Sequence, residues 1–332
     1  MVKKTAIFDV VKFLCAFLVI TIHTFPFIEI NEQLNTFTVS AIARIAVPLF
    51  FVISAYFFFQ HSKKGYLAKY ATRIGSLYLI WSVIYLPFFI RNHMGESIIV
   101  MMMKYIRDFL FTGSYYHLWF LPALIFAIVS VSLLLKYLDD KKLMILAGVL
   151  YLIGCLGNIY SAFLLEIPFI GNLFSLYLNI FDTTRNGLFF GVPFVVMGYF
   201  CAKVPHNKSI QTYYIFTLMS FICFLMEVVI LNAFGILESL SCMYLTLIPL
   251  IYGLLRCMQT IEMPITPMHM YLRKMSLLIY VSHILFVMIC GALFPTISNL
   301  MLFIVVCIAS VIFSTVVISC SKVLPILKKL YE

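Results

Sequence analysis

Three residues of one apolar stretch near the amino terminus, Asp9, Lys12 and His23, have the types and spacing best suited to chemistry. The stretch is long enough to cross a bilayer as a helix, where ionisable groups are costly and usually mark a functional path through the protein. Lys12 and His23 stand eleven positions apart. At about 100° per residue that leaves them about 20° apart around the axis, with about 16 Å of rise between them. Asp9 precedes Lys12 by three positions, a spacing at which helical side chains meet. One face therefore presents an acid, a base and an imidazole in line from one membrane surface into the core. A neutral imidazole in a partly desolvated site acts as a general base toward a hydroxyl, and it can also carry an acyl group covalently. The same spacing equally fits an end-of-span ion pair plus an interhelical hydrogen bond from His23.

The composition says what must position these groups. Of the 332 residues, 64% are hydrophobic and 11% charged, which excludes an ordinary soluble domain. The chain reads as an all-α, polytopic integral membrane protein, a single transmembrane domain over residues 1–332. Apolar runs of about twenty residues fall near 6–28, 39–60, 70–90, 117–136, 143–165, 183–203, 210–232, 237–257, 275–293 and 297–320, giving about ten spans. Nine cysteines are scattered singly, with no CxxC pair and no Cys/His cluster. They read as small buried hydrophobes, so neither disulfides nor a metal site is expected. Basic residues precede the first apolar run, as in a signal peptide. The run is too long for a signal core and lacks a small-residue cleavage site, so it is expected to stay in the protein.

Placing the amino terminus in the cytoplasm leaves only Arg91, Lys104, Arg107 and Arg185 outside, with Lys12 and Arg44 inside spans. The other basic residues, Lys3, Lys4, Lys63, Lys64, Lys69, Arg73, Arg256, Arg273 and Lys274 among them, then face the cytoplasm. This bias predicts that both termini are cytoplasmic. It also accounts for the net charge of +10 without nucleic acid or another acidic partner. The longest outer connection runs from about 91 to 116. Its 98–111 portion is apolar with Lys104, Arg107 and Asp108 interspersed, and reads either as an amphipathic surface helix or as a plain loop.

Orientation gives each unusual side chain a depth. His23, Arg44, His117, Trp119 and Arg185 fall in the outer half, Asn186 beside Arg185, and His283 near the middle of its span. Asp9, Lys12, Lys69 and Arg73 fall toward the cytoplasm. The outer set suits binding and activation of a polar acceptor, and the inner set suits holding an anionic donor. Plainer readings exist: Lys69 and Arg73 obey the charge bias, and Trp119 fits an interfacial aromatic belt. Arg44 has no such plain reading inside a span. No Ser-His-Asp arrangement, Gly-rich phosphate loop or metal motif is visible.

Asp9-Val10-Val11-Lys12-Phe13-Leu14-Cys15-Ala16, with Val19 and His23, resembles the first-helix signature of the acyltransferase-3 family of membrane acyltransferases. That signature is Arg or Lys, ten residues, then His. Val47-Pro48-Leu49-Phe50-Phe51-Val52-Ile53-Ser54 resembles the family's second helix, with Ala55 where Gly is usual. The stretch from Lys69 to Tyr78 resembles the basic start of the third helix, with Tyr70 and Arg73 in place of two arginines and Lys69 adjacent. His117-Leu118-Trp119-Phe120-Leu121, and Ser276 through Tyr280 to His283, match further family patterns. The resemblance covers nearly the whole chain.

It implies a stand-alone member, without a soluble esterase-like domain, in a bacterial cytoplasmic (inner) membrane. The implied reaction moves an acyl group, most often acetyl from cytoplasmic acetyl-CoA, to a hydroxyl of an extracytoplasmic cell-surface glycan or lipid-linked sugar. His23 would deprotonate the acceptor or relay the acyl group, with Asp9 pairing Lys12. Arg73 and Lys69 would hold acyl-CoA, and Arg44, His117 and Arg185 the acceptor. Partners are then acyl-CoA, the sugar acceptor and the lipid bilayer, with a homo-oligomer compatible with all of these. Asp182-Thr183-Thr184-Arg185-Asn186-Gly187-Leu188-Phe189-Phe190-Gly191 also resembles the membrane half of membrane-bound serine racemases. That resemblance implies a second expectation, a transporter of a small polar solute such as an amino acid.

Overall fold

The computed structural model describes residues 6–61, 63, 65–205, 208–237 and 241–332. Lys3, Lys4 and Lys64, expected on the cytoplasmic side, lie outside the described residues. Among those described, every regular element is helical. In chain order they are α1 (Ile7–Thr24), α2 (Glu32–Ser40), α3 (Ala46–His61), α4 (Tyr66–Asn92), α5 (Ile98–Arg107), α6 (Phe120–Leu134) and α7 (Asp140–Leu156). There follow α8 (Ser161–Leu165), α9 (Pro168–Phe181), α10 (Val192–Lys203), α11 (Ile210–Ala233), α12 (Leu247–Thr260), α13 (Pro267–Leu293) and α14 (Asn299–Cys320). Polar caps set many of the starts. Asn31, Ser97, Asp139, Ser209 and Ser298 each accept a hydrogen bond from the backbone N–H three residues on, which satisfies a donor the first turn leaves open.

Among the described residues, six stretches are long and apolar enough to cross a membrane: α1, the run from Glu32 to His61, α4, α11, α13 and α14. The chain is a multi-pass membrane protein. Its other expected spans fall on shorter helices: 117–136 on α6, 143–165 on α7, 183–203 on α10 and 237–257 on α12. Two differences from the sequence expectation matter for the polar residues. The expected span at 39–60 is not one rod, because α2 stops at Ser40 and a 3-10 turn at Ile42–Ile45 precedes α3. Arg44 therefore sits on a tight turn rather than inside a helix. Likewise α12 begins only at Leu247, after a buried non-helical run at 241–244. The Glu227 carboxylate accepts the Leu245 and Thr246 N–H groups at 2.8 Å each, and also the Thr246 hydroxyl. Irregular backbone at membrane depth is tolerated where its polar groups are met within the protein. The Tyr244 hydroxyl does the same for α2, donating to the Ser40 carbonyl.

The chain divides into two compact units. One holds the residues up to Ser54 and Cys201–Tyr331. In it α1 lies along α13, α13 forms a hairpin with α14, α11 packs on α12, and the Ile42–Ile45 turn packs on α1. The other holds Ala55–Phe200 with Glu332. In it α4 packs on α6, and a π-helical turn at Gly187–Gly191 packs on α6 and α7. The 98–111 stretch is helical: α5 carries it and a π turn at Asp108–Thr112 continues it. Its inner side is fixed to α4 by Tyr105 against Phe89, and by Tyr78, which stacks on Phe109 and donates to the Phe109 carbonyl at 2.7 Å. Its outer side, Ile98, Ile99, Met102, Met103, Ile106 and Leu110, is exposed, the pattern of a helix lying in a membrane interface. The expected connection between the fifth and sixth spans contains a further helix, α9.

Candidate active site

The contact between α1 and α13 carries two polar rungs. At one end the Asp9 carboxylate is gripped on both oxygens by Arg273, Nε to Oδ1 and Nη2 to Oδ2, each at 2.8 Å. Asp9 is 3% exposed, while the Arg273 side chain is 54% exposed. At the other end the His23 ring lies 5.2 Å, centroid to centroid, from that of His283, their planes tilted by 35°. Low-numbered residues pair with low and high with high, so α1 and α13 run parallel. The rungs are fourteen residues apart on α1 and ten on α13, about 21 Å and 15 Å of rise. The reach of the arginine side chain absorbs the difference. His283 is fully buried, and its Nδ1 lies 2.7 Å from the Tyr280 carbonyl and 3.1 Å from that of Ile279. Lys12 is half-buried on α1. Arg44 is buried on the turn that packs against α1.

The second unit gathers another group of the expected residues. Gly113 has φ +91 and would set a Cβ 2.5 Å from the Trp119 nitrogen, so only glycine lets the chain fold back there. The returning strand of the loop is held by Ser114, whose N–H donates to the Tyr78 hydroxyl at 2.8 Å. That loop buries His117 edge-on against Tyr85, with ring centroids 4.7 Å apart. Burial also pushes the Tyr115 phenol up, so it stays a neutral hydroxyl. The Arg185 guanidinium stacks over Trp119 at 5.0 Å, and Trp119 meets Phe190 edge-on at 5.6 Å. Asn186 serves the backbone. Its side-chain oxygen accepts the Leu188 and Phe189 N–H groups at 3.0 and 3.1 Å, capping the Gly187–Gly191 turn. Lys69 and Arg73 are both exposed on α4, and Arg73 Nε donates to the Glu332 carbonyl at 2.8 Å.

The structure thus brings His23 together with His283, and Trp119 with Arg185, while it gives Asp9 a partner, Arg273, that helix spacing did not suggest. Arg273 counted in the sequence only as one more cytoplasmic base. Its signal was its place at the head of the stretch that leads through Ser276 and Tyr280 to His283. Among the described residues no three His, Cys, Asp or Glu side chains come together to hold a metal ion.

A model of the acyltransferase domain of the acyltransferase-3 family matches residues 5–319, and the chain belongs to that family. It is a multi-pass membrane protein of that family. The curated relatives it matches are racemases. Two amino-acid racemases of Enterococcus faecalis are each 30% identical, over 208 and 220 residues, covering 60% and 64% of this chain and 30% of each relative. A serine/alanine racemase of Enterococcus gallinarum is 29% identical over 247 residues, 72% of this chain and 35% of the relative. The chain thus spans about a third of the length of these relatives. No solved structure matches it.

Proposed function

We propose that the protein transfers an acyl group, acetyl first among them, from cytoplasmic acyl-CoA to a hydroxyl of a cell-surface glycan or lipid-linked sugar. Its setting is the cytoplasmic membrane of a bacterium, crossed about ten times with both termini inside. The observation that carries this reading is the α1–α13 seam, which presents the His23 imidazole beside a second imidazole on a frame locked by Asp9 and Arg273. His23 is the general base, or the acyl carrier, with Lys12 and Asp9 on its helix face. Arg73 and Lys69 are the expected contacts of the donor's phosphates. Arg44, His117, Trp119 and Arg185 are the expected contacts of the acceptor, and a guanidinium there would steady developing negative charge. The test measures binding of acetyl-CoA to the purified protein, and acetyl transfer to membrane glycans. His23→Ala should abolish transfer while the protein still inserts, and Arg73→Ala should weaken donor binding. Full transfer by His23→Ala would remove its assigned role.

The racemase relatives support a second reading, in which the protein handles a small amino acid in the membrane. Uptake of labelled serine or alanine by proteoliposomes lacking any CoA thioester would favour it over acyl transfer.

A further inference from the structure

We propose that His283 is the positioning residue for His23, fixing which of its nitrogens faces the substrate; the assignment rests on the acyl-transfer reading above. Both neighbours of His283 Nδ1 are carbonyl oxygens, at 2.7 Å on Tyr280 and 3.1 Å on Ile279. Carbonyls only accept, so Nδ1 carries the hydrogen, and in the neutral ring Nε2 holds the lone pair. The ring is 0% exposed, is held by its own helix, and lies 5.2 Å from the His23 ring. In the proposed pair that lone pair accepts an N–H of His23, whose ring centroid is 5.2 Å away. Once His23 donates from one nitrogen, its other nitrogen bears the lone pair and becomes the base.

The transfer step then balances. The substrate-facing nitrogen of His23 takes the acceptor's hydroxyl proton as the oxygen bonds to the acyl carbon. The carbon–sulfur bond breaks, and the departing CoA thiolate takes that proton back from His23. While His23 is an imidazolium, its second N–H needs an acceptor that does not itself take the proton. His283 fills that place as a fixed neutral imidazole. A partner hydrogen bond that selects the tautomer in this way is also how buried groups orient metal-bound or catalytic histidines elsewhere.

The alternative is a core histidine that only fills space and satisfies its own helix backbone. The two part company on substitution. His283→Phe keeps the ring's bulk and loses both nitrogens, while His283→Gln keeps a polar amide that reaches the Nε2 position. With acetyl-CoA as donor, membrane glycan supplying the acceptor hydroxyl and the full chain in detergent, His283→Phe should bind acetyl-CoA within about twofold of wild type. It should release CoA roughly 10–100-fold more slowly, the usual cost of removing an orienting partner, and His283→Gln should recover most of that loss. A packing role predicts the opposite order, with Phe tolerated better than Gln, and that order would overturn the assignment. Nitrogen-15 NMR of labelled histidines tests the pair without any acyl chemistry. The expected spectrum shows one tautomer for His23 in the wild type and a mixture in His283→Phe. A His283 ring protonated on Nε2 rather than Nδ1, or a His23 tautomer indifferent to residue 283, would overturn it. Absence of CoA release from well-folded wild type overturns the acyl-transfer reading and this assignment with it, whereas the NMR outcomes bear on the pair alone.

Discussion

Removing Arg273 should destabilise the protein far more than removing Asp9, although the two form one salt bridge. The asymmetry comes from burial, since the acid is 3% exposed and the arginine side chain 54% exposed. Arg273→Ala takes two charge-assisted hydrogen bonds of 2.8 Å from a carboxylate that cannot reach water. Breaking a buried pair from one side costs about 3–5 kcal/mol. Because half of this pair already meets solvent, the lower end, about 3 kcal/mol, applies here. Asp9→Ala instead leaves a guanidinium that can turn to water, and should cost only about 1 kcal/mol. In the double mutant no charge is stranded, so its loss should stay near that of Asp9→Ala, a coupling of about 3 kcal/mol across the cycle. Thermal and denaturant unfolding of the four purified proteins in one detergent measures the cycle. The reasoning fails if Asp9→Ala proves as damaging as Arg273→Ala, or if the double mutant loses the sum of the two.

Gly113→Ala combines a φ of +91 with a Cβ 2.5 Å from the Trp119 nitrogen; it should cost at least ~2 kcal/mol in stability and abolish activity by displacing the His117 loop. Gly148→Ala on α7, where a Cβ meets nothing within 4 Å, should instead add about 0.5–1 kcal/mol, both read from melting temperatures. Glu227→Ala, which strips the carboxylate from the start of α12, should cost about 2 kcal/mol by thermal unfolding, with Glu227→Gln recovering part of it. At the start of α7, hydrogen bonds from Lys142 hold the Asp139 carboxyl below its ordinary value. Its contribution is therefore present above the unfolded carboxyl's pKa and lost as pH falls through the lower, folded one. Hydrogen exchange at the Lys142 amide should lose protection over that acid range in the wild type, and show no such pH step in Asp139→Asn.

The membrane helices are legible because about twenty apolar residues in a row leave few alternatives to a span. What hydropathy does not report is where the backbone stops being helical inside such a run. Ala41, Ile42, Ala43, Ile45 and Ala46 read as uninterrupted helix, yet the chain makes a 3-10 turn there. The run Cys242-Met243-Tyr244 is as apolar as any span but is not helical, and just after it Glu227 takes the Leu245 and Thr246 amides that lead into α12. The helix α9 lies between the runs counted as the fifth and sixth spans, in what hydropathy reads as their connection. Hydropathy leaves the 98–111 stretch open between helix and loop, and the packing of its Tyr105 and Phe109 side on α4 decides for the helix.

The site is legible residue by residue but not pair by pair, and the difference has a physical cause. Sequence spacing reports neighbours within one helix, so Asp9 points to Lys12, three positions on. Its partner on both oxygens lies 264 positions away on α13, a relation set by packing alone. The same packing ties His23 to His283, and it makes sense of why α1 tolerates an acid and an imidazole in a membrane at all. Each of these α1 side chains meets its α13 partner on the protein side of the helix, so neither is spent against lipid. A parallel pair of helices joined at two levels resists both sliding and rotation. A shift of one residue on either helix would turn a ring or a carboxylate by about 100° away from its partner. The Asp9–Arg273 rung is thus a register lock for the His23–His283 rung, about 21 Å along α1. It follows that loss of the lock should slow the proposed acyl transfer even in variants that remain folded, whereas restoring it with the opposite polarity, Asp9→Arg with Arg273→Asp, should fail, because it buries the cation where only the carboxylate has been accommodated.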